Sequence, residues 1–153
     1  MTTATDAALR RLLLLVVLVG AIGLIAELLL LEHYEEWTQW LPIAVLAVVA
    51  GMSIALWLRP APRGVLAFRA AMLVTLVVGM IGLALHFNGN REFELEMDGG
   101  LAGWPLLRES LRGATPALAP GAMIQLALLG LVFTWRHPAL VEEDGPETID
   151  PGP

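Results

Sequence analysis

Four apolar stretches, each close to twenty residues long, restrict this chain to one kind of environment. They occupy residues 9–31, 40–58, 65–87 and 118–135. The hydrocarbon core of a bilayer is about 30 Å thick, and a helix rising about 1.5 Å per residue crosses it with about 20 predominantly apolar residues. Lipid offers backbone N–H and C=O groups no partners, so a crossing segment of this kind must satisfy them within a helix. The pattern predicts an all-α membrane protein, a four-transmembrane-helix bundle, with residues 1–137 as its one transmembrane domain.

Composition narrows the function classes. Hydrophobic residues make up 57% of the 153 residues and charged residues 16%. Connections are short; the longest, residues 88–117, leaves no room for a soluble catalytic domain. The motifs H-E-x-x-H, G-x-S-x-G and the P-loop do not occur, so nothing marks the chain as an enzyme. Cysteine is absent, which excludes disulfides, thiolate metal sites and cysteine nucleophiles. A net charge of −6 supplies no basic surface for nucleic acid. All nine cations are arginine, which with the abundance of Leu, Ala and Gly points to a high-GC bacterial genome and thus to a multi-pass protein of the bacterial inner (cytoplasmic) membrane. Arg10 and Arg11 precede a leucine-rich run as in a secretory signal. That run continues past Glu27 to Leu31 without a small-x-small cleavage site, so it reads as a retained span.

The arginines set an orientation. Arg10, Arg11, Arg59, Arg63, Arg69 and Arg136 fall on one side of the four spans, and Arg91, Arg108 and Arg112 on the other. The positive-inside rule then places both termini in the cytoplasm, N-in/C-in. Trp40 and Trp57 bracket the second span, and Trp37, Trp104 and Trp135 lie at other expected interfaces. Pro42 belongs in the first turn of the second span, and the residues from Arg59 to Gly64 form a turn that makes the second and third spans an antiparallel hairpin. Residues 138–153 hold five acids and four prolines and read as a disordered, acidic, Pro-rich cytoplasmic tail.

Two stripes of small residues allow close helix contact. Ala47, Gly51 and Ala55 recur at four-residue spacing on the second span, as do Ala71, Thr75 and Gly79 on the third. Such stripes pack helices within one chain, and they also suit self-association or docking with other membrane subunits. Few polar groups remain inside the spans: Ser53, Thr75, Gln125, Thr134 and Arg69.

Chemistry concentrates on the outer face. Glu27, Glu32, His33, Glu35 and Glu36 close the first span, His86, Asn88 and Asn90 close the third, and Glu92, Glu94, Glu96, Asp98 and Glu109 follow. An anionic rim concentrates cations. Glu27 lies about one turn inside the apolar boundary, where an ionisable residue is a functional pointer by default, and His86 is its best partner by depth. If the first helix runs on through Trp37, Glu32 and Glu36 share a face beside His33. Glu27, Glu32, His33, Glu36 and His86 are therefore candidate ligands for a divalent metal ion, and a haem b between His33 and His86 is the other use of two imidazoles at one depth. Residues 91–97 alternate Glu92, Glu94, Glu96 with Phe93, Leu95, Met97, the period of a strand. A turn at Asp98 to Gly100 leads to a short interfacial helix over Trp104 to Arg112, suited to anchor at the membrane surface or to close as a lid. His137 reads as an end residue. Three functions stay open: a non-enzymatic accessory or assembly subunit with a cation-binding outer face, a metal- or haem-bearing membrane enzyme subunit, and an oligomeric small-cation transporter.

Overall fold

The computed structural model describes residues 4–113 and 120–140, and among these every regular element is helical. The helices are α1 (Ala4–Leu30), α2 (Trp40–Leu58), α3 (Pro62–Met97), α4 (Gly103–Arg112) and α5 (Gly121–Thr134). Short 3-10 turns, Trp37–Gln39 and Pro138–Leu140, precede α2 and follow α5. Three helices, α1, α2 with its leading turn, and α3, are long and apolar enough to cross a membrane. The fourth apolar helix, α5, has 14 residues and rises about 21 Å. It is shorter than the stretch 118–135, of which 118 and 119 lie outside the described residues.

α1, α2, α3 and α5 pack around one core through buried residues spaced three and four apart. On α3 these are Val65, Phe68, Met72, Thr75 and Gly79, and on α1 Leu14, Val17 and Ala21. That spacing is the signature of left-handed knobs-into-holes packing. Neighbours run antiparallel: Arg69 meets Thr134, Phe68 stacks edge-on against Phe133 with centroids 5.6 Å apart, and farther along α3 Gly79 meets Ile124. A Cβ on Gly79 would stand 3.2 Å from the Ile124 backbone nitrogen, so this glycine sets how closely α3 and α5 approach. The stripe Ala71, Thr75, Gly79 thus faces inward. The stripe Ala47, Gly51, Ala55 is exposed along its length, with open space over Gly51.

The end of the bundle that gathers Arg10, Arg69 and His137 is its arginine end. α5 has no basic residue in its own last turn, and its terminal carbonyls are satisfied from other helices. Arg10 donates from Nη1 to the Phe133 and Trp135 carbonyls at 2.7 and 3.1 Å and from Nη2 to the Arg136 carbonyl at 3.1 Å. Arg69 donates from Nη2 to the Thr134 carbonyl at 2.7 Å and from Nε to its hydroxyl at 3.3 Å. His137, read as an end residue, is 7% exposed and packs its ring against Phe133. Burial and the nearby Arg10 guanidinium hold its imidazole below the ordinary histidine range. Its Nδ1 accepts the Ala139 N–H at 3.2 Å, which turns residues 138–140 back so that Ala139 and Leu140 pack on the core. The tail segment therefore begins with an ordered turn; residues 141–153 lie outside the described residues.

The segment 91–97 is helical, against the expectation of a strand. α3 continues for 36 residues, about 54 Å, well beyond a bilayer's hydrocarbon. A lone strand leaves its backbone groups without a ladder, whereas an extended helix satisfies its own, and no breaker intervenes before Asp98, Gly99 and Gly100. The expected turn is there: Asp98 caps it through its side chain to the Gly100 N–H at 2.9 Å. A short helix forms where one was expected, and α4 packs on α3 and no other described element. Asn90, buried on α3, donates to the Ser110 carbonyl at 3.0 Å, and Gly113 lies so close to Asn90 that a Cβ would come within 2.5 Å of it. Trp104, Leu107 and Leu111 stay exposed on the other face of α4. An outward apolar stripe suits a membrane surface, and α4 is not a lid across the other helices.

Losing Arg69 leaves the Thr134 carbonyl to an unsatisfied helix end. Arg69→Met is expected to destabilise the bundle by about 2 kcal/mol, the scale of hydrogen bonds to a charged group. Arg69→Lys should restore less than half of that, because an ammonium lacks the guanidinium fork. Equilibrium unfolding in bicelles reads both.

Candidate functional site

Two places hold polar groups that the packing leaves available. The first is the opposite, histidine end of the bundle. α1 ends in a Schellman turn: the His33 N–H reaches the Leu28 carbonyl at 2.9 Å and the Glu32 N–H reaches the Leu29 carbonyl at 3.2 Å. Glu32 takes the left-handed position of that turn, with φ of 53°, a place usually held by glycine. The turn stops α1 at Leu30, so Glu32 and Glu36 do not share a helical face as the sequence suggested. It also swings His33 toward α3. The His33 and His86 rings lie with centroids 6.2 Å apart and planes inclined by 47°. Burial, and secondarily His86, holds the His33 imidazole below the ordinary range, which favours its neutral form. His86 keeps Nδ1 buried and without a hydrogen-bond partner.

The five candidate ligands are not gathered into one cluster. Among the described residues no group of three or more His, Asp or Glu side chains is arranged to hold a metal ion. His33 and His86 meet, while Glu27, Glu32 and Glu36 form no three-ligand group with them. No hydrogen bond or ion pair joins Glu27 to His86, the partner its depth suggested. Glu32, Glu35 and Glu36 are exposed around the turn and form an acidic rim.

The second place is an open groove of about 360 Å³ between α1 and α5, lined by Val16, Gly20, Gly23, Leu24, Glu27, Ala122, Gln125, Leu126 and Leu129. Its floor is set by Gly20, where a Cβ would stand 2.6 Å from Leu126 Cδ1. Over Gly23 there is open space. Because α1 and α5 are antiparallel, Glu27, seven residues beyond Gly20, comes level with the first turn of α5. A carboxylate there faces the electropositive end of a helix. Glu27 and Gln125 are both exposed, on a surface otherwise apolar. Sequence reading singled out Glu27 but left Gln125 as an isolated polar group. Its spacing to Ala122 and Leu129 on one face of α5 was the available signal.

No family model, curated protein or solved structure matches this chain.

Glu32 offers a direct test of the turn that positions His33. A non-glycine residue in the left-handed region costs about 1 kcal/mol, so Glu32→Gly is expected to raise stability by about that much. The His33–His86 proximity, read by NMR contacts between the two rings, should be unchanged.

Proposed function

We propose that this chain is a small multi-pass protein of the bacterial inner membrane, a four-span bundle with both termini cytoplasmic, which acts without catalysis as an accessory or assembly subunit. The groove between α1 and α5 carries this reading. Lipid tails hydrogen-bond to nothing, so a carboxyl and an amide facing them are stable only when paired or when they reach the interface. A partner transmembrane helix laid over Gly23 would approach closely, and its own polar side chain would satisfy Glu27 or Gln125. Interhelical hydrogen bonds of this sort contribute about 0.6 to 2 kcal/mol each. The exposed stripe Ala47, Gly51, Ala55 provides a second smooth face for self-association on the other side of the bundle.

The orientation rests on the arginine distribution and on the antiparallel packing, which brings Arg10, the Arg59 to Gly64 turn and residues 138–140 to one end. α5 as the fourth span is short by about 9 Å against a bilayer of about 30 Å, and local thinning near Glu27 would meet the difference. The acidic rim at the histidine end then faces outward and gathers cations.

The absence of cysteine makes single-cysteine variants clean probes. A photo-crosslinker attached at Gly23→Cys in native membranes is expected to give one protein adduct of defined mass, reduced about tenfold by Glu27→Leu, as loss of about 1.4 kcal/mol of pairing predicts. Adducts with lipid alone, or a yield indifferent to Glu27→Leu, would overturn the docking reading. In the same series Gly99→Cys should react with an impermeant maleimide in intact spheroplasts. Reaction only after lysis would reverse the orientation.

A further inference from the structure

The His33 and His86 rings are in tilted contact, and at this separation they cannot hydrogen-bond to each other. With centroids 6.2 Å apart, no two ring nitrogens can come closer than about 4 Å, which excludes a direct hydrogen bond of about 3 Å and leaves room for an ion at about 2.0 Å from each ring. An ion fills such a gap where a proton does not. His86 Nδ1 is buried without a partner, and a buried nitrogen left so costs about 1–3 kcal/mol. Both rings are carried on ordered backbone. His86 stands in the last turn of the apolar part of α3, and His33 is fixed by its N–H bond to the Leu28 carbonyl.

We propose that His33 and His86 form a two-coordinate site for a soft monovalent cation, Cu(I) or its redox-inert analogue Ag(I), held in a near-linear bridge between one nitrogen of each ring. Ligand number selects the ion. Zinc, manganese and ferrous iron take four or more ligands, and no third His, Asp or Glu joins this pair among the described residues. A closed-shell monovalent cation is satisfied by two neutral nitrogen donors. The exposed carboxylates of Glu32, Glu35 and Glu36 raise the local cation concentration without entering the coordination sphere. This site does not depend on the groove between α1 and α5, so either can fail without the other.

The test uses the full-length protein in lipid nanodiscs, in chloride-free buffer at pH 7, with Ag(I) as the probe. Imidazole nitrogen resonances of His33 and His86 should shift together and saturate at one Ag(I) per chain. His33→Ala and His86→Ala should each weaken binding about a hundredfold or more, the cost of losing one of two ligands. Glu36→Gln should leave the stoichiometry unchanged, and equimolar Zn(II) should not displace the ion. The proposal is overturned if only one ring shifts, if neither does, or if Zn(II) displaces Ag(I). Retention of the bound ion by both alanine variants would also overturn it and would assign the silver to exposed thioethers such as Met80 and Met97. The wild-type titration requires no variant to fold, so it decides the question alone.

Discussion

Two arginines finish a helix that has no means of finishing itself. The last carbonyls of any α-helix lack partners within it, and in a low-dielectric surround each one left bare costs several times what it would in water. α5 meets this with borrowed cations. Arg10 comes from the start of α1, Arg69 from the first turns of α3, and together they take the Phe133, Thr134, Trp135 and Arg136 carbonyls. Their positive charge also lies at the negative pole of the α5 macrodipole. The same contacts therefore tie three helices into one end and fix the height of α5 against its neighbours. With that end fixed, a helix of only 14 residues must begin well inside the length of α1 and α3.

The consequences appear at the other end. α1 passes the start of α5, which brings Glu27 level with that start and leaves its carboxylate over the groove instead of inside the bundle. α3 passes it by more, and its overhang gives α4 a surface to pack on through Asn90 and Gly113. Between them, the left-handed residue at Glu32 turns the chain back toward α3 before α2 begins. A helix that continued outward through Glu36 would have carried His33 away from His86. The histidine pair is thus a product of a strained turn and a long neighbour, and neither belongs to the bundle core.

Much of the fold was legible because hydrophobic length is read directly from sequence. α2 begins and ends where its apolar run does, at Trp40 and Leu58, between Pro42 and the Arg59-Pro60 stop. The facing of the helices was not legible, because a helix that is apolar all round carries no amphipathic signal to say which side is buried. Volume does not distinguish the faces either: Ala71, Thr75 and Gly79 turned inward while Ala47, Gly51 and Ala55, equally small and with the same spacing, turned outward. The segment 91–97 failed for a different reason. Its strict alternation is a sound strand signal only where a second strand is at hand, and this chain has none among the described residues. At the candidate site the sequence singled out Glu27, Glu32, His33, Glu36 and His86, and it set His33 and His86 at one depth. Depth brought the two histidines together correctly but could not foresee the turn at Glu32, since glutamate gives no hint of a left-handed backbone.

The arginine and histidine ends differ in how their charges are used, and this separates structure from function in the molecule. Arg10 and Arg69 donate to backbone carbonyls, although Arg10 Nε is buried without a partner, so both are committed to the fold. The acids have no such commitment. Arg108 and Glu109 form an exposed ion pair at 3.9 Å, a contact weak enough to contribute little, and the glutamates around the Glu32 turn are exposed. Charges held by the backbone cannot move without unfolding α5, whereas the exposed carboxylates, the histidine pair and the carboxyl over the groove carry no such constraint. The polar side chains that the fold does not commit therefore lie at the histidine end and along the adjoining α1 and α5 groove, away from the arginine clamp.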